Sequence, residues 1–114
     1  MRININGIDF KVKVVHKKED IRMGMMRKTF DKNFNGMFFV MDGENHCFWM
    51  KNCIIPLDII FIKDDEIVEI FRDCPPCDSE YCENYCSKGN YVLELKGGTC
   101  DKLGISEGDI IEYN

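Results

Sequence analysis

The sequence predicts a mainly β protein, α+β at most, built as one small barrel or sandwich of short strands. One short helix is expected after an N-terminal hairpin, and a helical turn near the C-terminus. Three observations carry this expectation. Apolar residues recur with a two-residue period in several short stretches, and turn residues separate those stretches. The stretch 16–28 breaks the period and orders its charges as a helix does. At 114 residues the chain has the size of a single domain, 1–114, with no linker-like segment. A domain of that length hides about 65% of its unfolded surface, enough for one core.

The elements follow in order. Ile3 and Ile5 alternate with polar residues, Asn6-Gly7 supplies the positive φ angles of a tight turn, and Ile8, Phe10, Val12 and Val14 alternate again. Between His16 and Lys28, Glu19 and Asp20 come early, Arg27 and Lys28 late, and Ile21, Met25 and Met26 fall near one face. Met23, Met25, Met26 and Met37 are expected to fill the core beneath this helix. Met37 to Met41 reads as a strand, Asp42-Gly43 as a turn, and His46 to Asn52 as the returning strand. Beyond Pro56, Leu57, Ile59 and Phe61 share one face of a strand and Ile60 and Ile62 the other, the two-sided burial of a central strand. Asp64-Asp65 turns the chain into a strand over 66–72. Residues 73–90 read as a long cysteine-bearing loop and Tyr91 to Lys96 as a strand. Thr99 is the expected N-cap of a short helix stopped by Gly104, and Asp109 to Tyr113 the last strand.

Composition narrows the function classes. Hydrophobic residues make up 45% and charged residues 31%, with a net charge of −5 and no basic stripe, which argues against nucleic-acid binding. There is no basic amphipathic helix for a membrane surface, and the run Ile59 to Ile62 is too short to span a bilayer. The N-terminus lacks the continuous apolar segment of a secretion signal, so the expected location is the cytoplasm. Seven cysteines are then unexpected. In a reducing cytosol they point to metal, redox work or buried thiols, with hyperthermophile disulfides as the exception. Abundant Lys, Glu and Ile and the absence of Gln agree with such a source, and the many Asn residues argue against it.

Two constellations could carry chemistry. Cys74-Pro75-Pro76-Cys77, with Cys82 and Cys86 behind it, offers four thiols for a tetrahedral zinc site. The same Cys-x-x-Cys could exchange disulfides, or a structural disulfide between Cys77 and Cys82, or between the outer pair, could pin the loop. The second constellation is Trp49, Lys51, Asn52 and Asp58. An exposed Trp beside Lys, Asn and carboxylates suits a polar ligand such as a sugar; the alternative is a core Trp with a structural ion pair. Glu94 faces away from Tyr91, Leu93 and Leu95, and with Asp58 it would make a carboxylate pair for acid–base work if the two approach. His16 and His46 show no spacing to each other or to a nucleophile that signals a triad.

The run Phe48-Trp49-Met50-Lys51-Asn52-Cys53-Ile54-Ile55-Pro56-Leu57-Asp58-Ile59-Ile60-Phe61-Ile62 closely resembles the signature of domain-of-unknown-function family 192. Gly24-Met25-Met26 resembles the family's Gly-Leu-Met element, Gly36 to Val40 its next strand, and Pro76-Cys77 with Cys82 and Tyr85 its cysteine loop. Tyr91 to Leu95 with Gly98, then Gly104-Ile105 and Gly108-Asp109, resemble its C-terminal end. The resemblance implies a small β-rich fold and no established activity. Cys53 stands where the family usually has Thr and Ile21 where it often has Arg, and Cys47, Cys74, Cys86 and Cys100 are additions to its cysteine pair. The expected function is a non-catalytic module for a small polar ligand or a protein partner, with Trp49, Lys51, Asn52, Asp58 and Glu94 as its candidate residues. The alternative is a zinc-binding or thiol-redox loop at Cys74, Cys77, Cys82 and Cys86, zinc being the only cofactor indicated.

Overall fold

The computed structural model describes residues 1–114. The N-terminal hairpin forms as its pattern requires: β1 (Arg2–Ile5) pairs antiparallel with β2 (Ile8–Val15) across Asn6 and Gly7, both at positive φ. A short helix α1 (Lys18–Met23) and a turn-rich stretch then lead to β3 (Gly36–Val40), which pairs parallel with β2. After β4 (Asn45–Trp49) come β5 (Leu57–Lys63), β6 (Glu66–Cys74), β7 (Asn84–Lys88) and β8 (Tyr91–Lys96). The helix α2 (Thr99–Leu103) and β9 (Ile111–Tyr113) complete the chain.

Seven strands make one sheet in the order β6-β5-β8-β3-β2-β1-β9, and β4 and β7 form a separate ribbon. The sheet curls into a half-barrel whose edge strands meet at one corner. There the Ile111 N–H donates to the Asp65 carbonyl at 2.7 Å and the Ile67 N–H to the Asp109 carbonyl at 2.9 Å. Mainly β architecture with two short helices is what the sequence predicts.

Strand alternation divides the interior in two. Ile60, Ile62, Leu93, Leu95 and Phe38 join Cys100, Ile105 and Ile111 in one core beneath α2. Leu57, Ile59, Phe61, Val92 and Phe39 face the other core, closed by Phe48 and Tyr85 of the β4–β7 ribbon and by Met25 beyond α1. The expected two-sided burial of β5 is observed, Leu57 through Ile62 all being buried.

Four sequence expectations need correction. The helix expected over 16–28 stops at Met23, because Gly24 takes a φ of 46° and a ψ of −126°, which only glycine adopts easily. Of the methionines assigned to the core beneath it, Met25 and Met37 are buried, while Met23 is 44% exposed. The expected cysteine loop over 73–90 contains ordered structure at both ends, since β6 runs to Cys74 and β7 occupies Asn84–Lys88. Gly89 ends β7 at φ 147°, so close to β5 that a Cβ there would lie 2.5 Å from the Ile62 carbonyl oxygen. Finally Gly98, not Thr99, caps α2, and the capping acceptor comes from Asp58 on β5.

No helix is long and apolar enough to cross a membrane.

Candidate functional site

The structure separates the residues that the sequence grouped. Asp58 is fully buried and its carboxylate accepts three hydrogen bonds within the protein. Oδ1 accepts from the backbone N–H groups of Asp73, at 2.8 Å, and Gly98, at 3.1 Å, while Oδ2 accepts from that of Cys100 at 2.8 Å. These bonds tie the end of β6 and the first turn of α2 to β5, so Asp58 is a structural hub. It makes no carboxylate pair with Glu94. Glu94 stands opposite Ile59, and its side chain therefore lies on the face of Leu57 and Phe61, whereas Asp58 shares the face of Ile60.

The Lys51 side chain and the Asn52 backbone are occupied as well. The Lys51 ammonium donates to the Ser79 carbonyl. Asn52 takes a φ of 60°, its N–H donates to the Cys77 carbonyl at 2.9 Å, and its carbonyl accepts from the Arg27 N–H at 2.8 Å. This turn therefore fastens both the segment after α1 and the cysteine loop onto the extension of β4. Asn tolerates the left-handed conformation better than most residues, which accounts for it there.

The cysteines pair as the structural-disulfide reading of the loop expects at Cys77 and Cys82, and the zinc alternative finds no support. Cys77 is bonded to Cys82, and Cys86 to Cys47, its direct partner across the β4–β7 ribbon at a Cα–Cα distance of 4.0 Å. Cys74 is left as a buried free thiol at the end of β6, so the four thiols do not converge. Burial pushes Cys74 up to about 11 and Cys53 up to about 12, and Cys100 is raised too. Protonated at neutral pH, these thiols are poor nucleophiles and poor metal ligands. The Cys74–Cys77 dithiol expected for exchange is not formed.

Trp49 and Glu94 do come together. Both line a pocket of about 240 Å³ between α1 and the β4–β7 ribbon. From α1 and the turn behind it come Ile21, Met23, Gly24, Met25 and Met26; from the sheet and ribbon come Phe39, Met41, Phe48 and Trp49. Trp49 is 43% exposed, while Glu94 is only 3% exposed, with Met37 of β3 and Ile59 of β5 as its cross-strand neighbours. No group of the protein hydrogen-bonds its carboxyl, whose oxygens stay open to the pocket rather than sealed in the core, and desolvation alone raises its pKa from 4.5 to about 8. Cys53 shares the wall, near enough for the Glu94 charge to add to its own raised pKa. The cavity is thus an apolar slot with a single unpartnered carboxyl within it and an indole on its wall. A slot of that chemistry can hold an apolar body with one polar group.

Sequence reasoning missed the Met-rich wall, because methionines near a helix face read first as core filler. The signal lay in their density: Met23, Met25, Met26 and Met41 all line this one cavity. Cys47 and Phe48, also on its wall, carry no sequence signal that distinguishes a pocket from a core.

The fold defines a small, mainly β domain of two short helices and a curled sheet. The chain belongs to domain-of-unknown-function family 192, described as "Uncharacterized ACR", whose model matches residues 1–113. It is similar to a Sinorhizobium meliloti 1021 protein labelled a candidate transcription regulator, at 31% identity and a TM-score of 0.84, covering 97% of this chain and 91% of that one. It is also similar to a protein of unknown function from Novosphingobium aromaticivorans DSM 12444, at 28% identity and a TM-score of 0.83, covering 98% and 84% of the two chains. No curated protein matches the chain.

Proposed function

We propose that this domain is a non-catalytic binding module that takes a small, largely apolar molecule with one polar group into the pocket between α1 and β4. The observation that carries the reading is Glu94: a carboxyl buried in an apolar cavity with no partner in its own chain. Such a group is costly to keep, and a ligand that satisfies it recovers that cost on binding. The ligand is therefore more apolar than a sugar, which would leave its hydroxyls against methionine and phenylalanine. A regulatory role like that in the Sinorhizobium protein's label would run through ligand binding, since a net charge of −5 does not favour DNA phosphates. The two disulfides support an oxidising compartment rather than the cytoplasm expected from the N-terminus.

Trp49 is the only tryptophan of the chain, so its fluorescence reports on this cavity alone. A library of small apolar compounds is expected to yield binders that shift the Trp49 emission and the amide resonances of 21–26 and Glu94. Met26→Phe, which narrows the slot, should weaken them. Binders that leave those signals unmoved and instead perturb the Lys51-Asn52 turn would refute the pocket reading.

A further inference from the structure

Resting on that reading of the pocket, we propose that its ligand is an organic cation: a small amine whose nitrogen pairs with the Glu94 carboxylate and whose hydrocarbon body lies among Phe39, Phe48, Trp49 and the methionines. The one buried polar side chain of the cavity is acidic, and no cation of the chain is paired with it. Lys28 is turned to the Gly24 carbonyl at 3.0 Å, and Arg22 lies exposed on the wall of the cavity. The thiols that feel the Glu94 charge, Cys53 and Cys74, are neutral. The walls suit a cation as well. Aromatic faces attract an ammonium, more strongly where water is excluded, and thioether sulfurs are polarizable. A neutral carbonyl ligand would use only the protonated carboxyl and none of these features.

Cation binding has a chemical balance that neutral binding lacks. The free domain holds Glu94 as the acid at neutral pH; on binding, the carboxyl proton leaves to solvent, and the remaining carboxylate accepts from the ammonium. The test is calorimetry on the full chain in two buffers of different ionisation enthalpy. The probes are a panel of monoamines, primary to tertiary, each paired with a neutral isostere. The expected result is amine binding with release of close to one proton at pH 7. Glu94→Gln is expected to weaken the amines roughly 10- to 100-fold and the isosteres far less. Its melting curve shows whether that variant is folded. Isosteres that bind as tightly as amines, with no proton released, overturn the cation assignment and leave the pocket reading standing. If neither class binds or moves the Trp49 emission, both readings fall.

Discussion

Two buried carboxylates, Asp58 and Glu94, lie on adjacent strands of one sheet and do opposite things. Asp58 accepts three backbone hydrogen bonds, and its removal strands three N–H groups in the interior. Asp58→Ala should therefore cost about 3–5 kcal/mol in denaturant unfolding. Asp58→Asn should cost less, since it keeps the acceptor for Asp73 and Gly98 and sets a donor only against Cys100. Glu94 has no such bonds, and its replacement should stabilise. The folded protein holds the Glu94 proton up to about pH 8, whereas the unfolded chain releases it near its ordinary value of 4.5. Between those values the folded state carries the extra proton, so each pH unit upward removes about 1.4 kcal/mol of stability, and above 8 the loss is complete. Glu94→Gln lacks this slope and should be on the order of 3 kcal/mol more stable than the parent at pH 7. Equal stabilities from pH 5 to 8 would show that the carboxyl is ionised or partnered in solution. A residue that weakens its own fold in this way fits a binding site better than a core.

At the scale of elements, the β4–β7 ribbon has the weakest local support and the strongest covalent one. It stands outside the main sheet, and the Cys47–Cys86 bridge spans 39 residues, against 5 for Cys77–Cys82. By loop-closure entropy the long bridge is worth about 4 kcal/mol and the short one about 2. Replacing Cys47 and Cys86 together by serine should therefore lower the unfolding midpoint more than the corresponding change at Cys77 and Cys82. The long bridge also holds one wall of the pocket, so only its loss should alter the Trp49 emission of the folded protein. This ribbon was also the least legible part of the sequence. The hairpin at Asn6-Gly7 and the two-faced strand Leu57–Lys63 announce themselves by local patterns, and Trp49 and Glu94 stand out as misfits in apolar strands. Asn84–Lys88 is five residues, with Tyr85 the only buried one, and pairs with a strand far behind it in the chain. No local period marks such a strand, and no spacing tells which cysteine will face Cys86. For the same reason Asp58 and Lys51 read as ligand groups: a sequence shows the carboxylate but not the backbone N–H groups that consume it.

The whole molecule sets rigid and loose regions side by side, with the pocket on their boundary. Strands β5, β8 and β3 are hydrogen-bonded on both sides and buried on both faces, so their amides should exchange only through global unfolding. The helix α1 has six residues and buries none of them, and it ends on Gly24, whose added Cβ would sit 3.4 Å from the Phe39 ring. It should open locally at low cost, and hydrogen exchange in residues 18–26 should be the fastest of any regular element. Glu94 sits on the rigid side of this boundary, in β8, while Ile21, Met25 and Met26 sit on the loose side. A ligand that bridges the two must draw down the opening of α1 by its own binding free energy, up to the point where exchange becomes global. Saturating an identified binder should therefore slow exchange selectively over 18–26 and β4 and leave β5 and β8 unchanged. Protection spread evenly over the sheet would instead mean that the ligand only raises global stability, and that the α1 wall is already closed in the free domain.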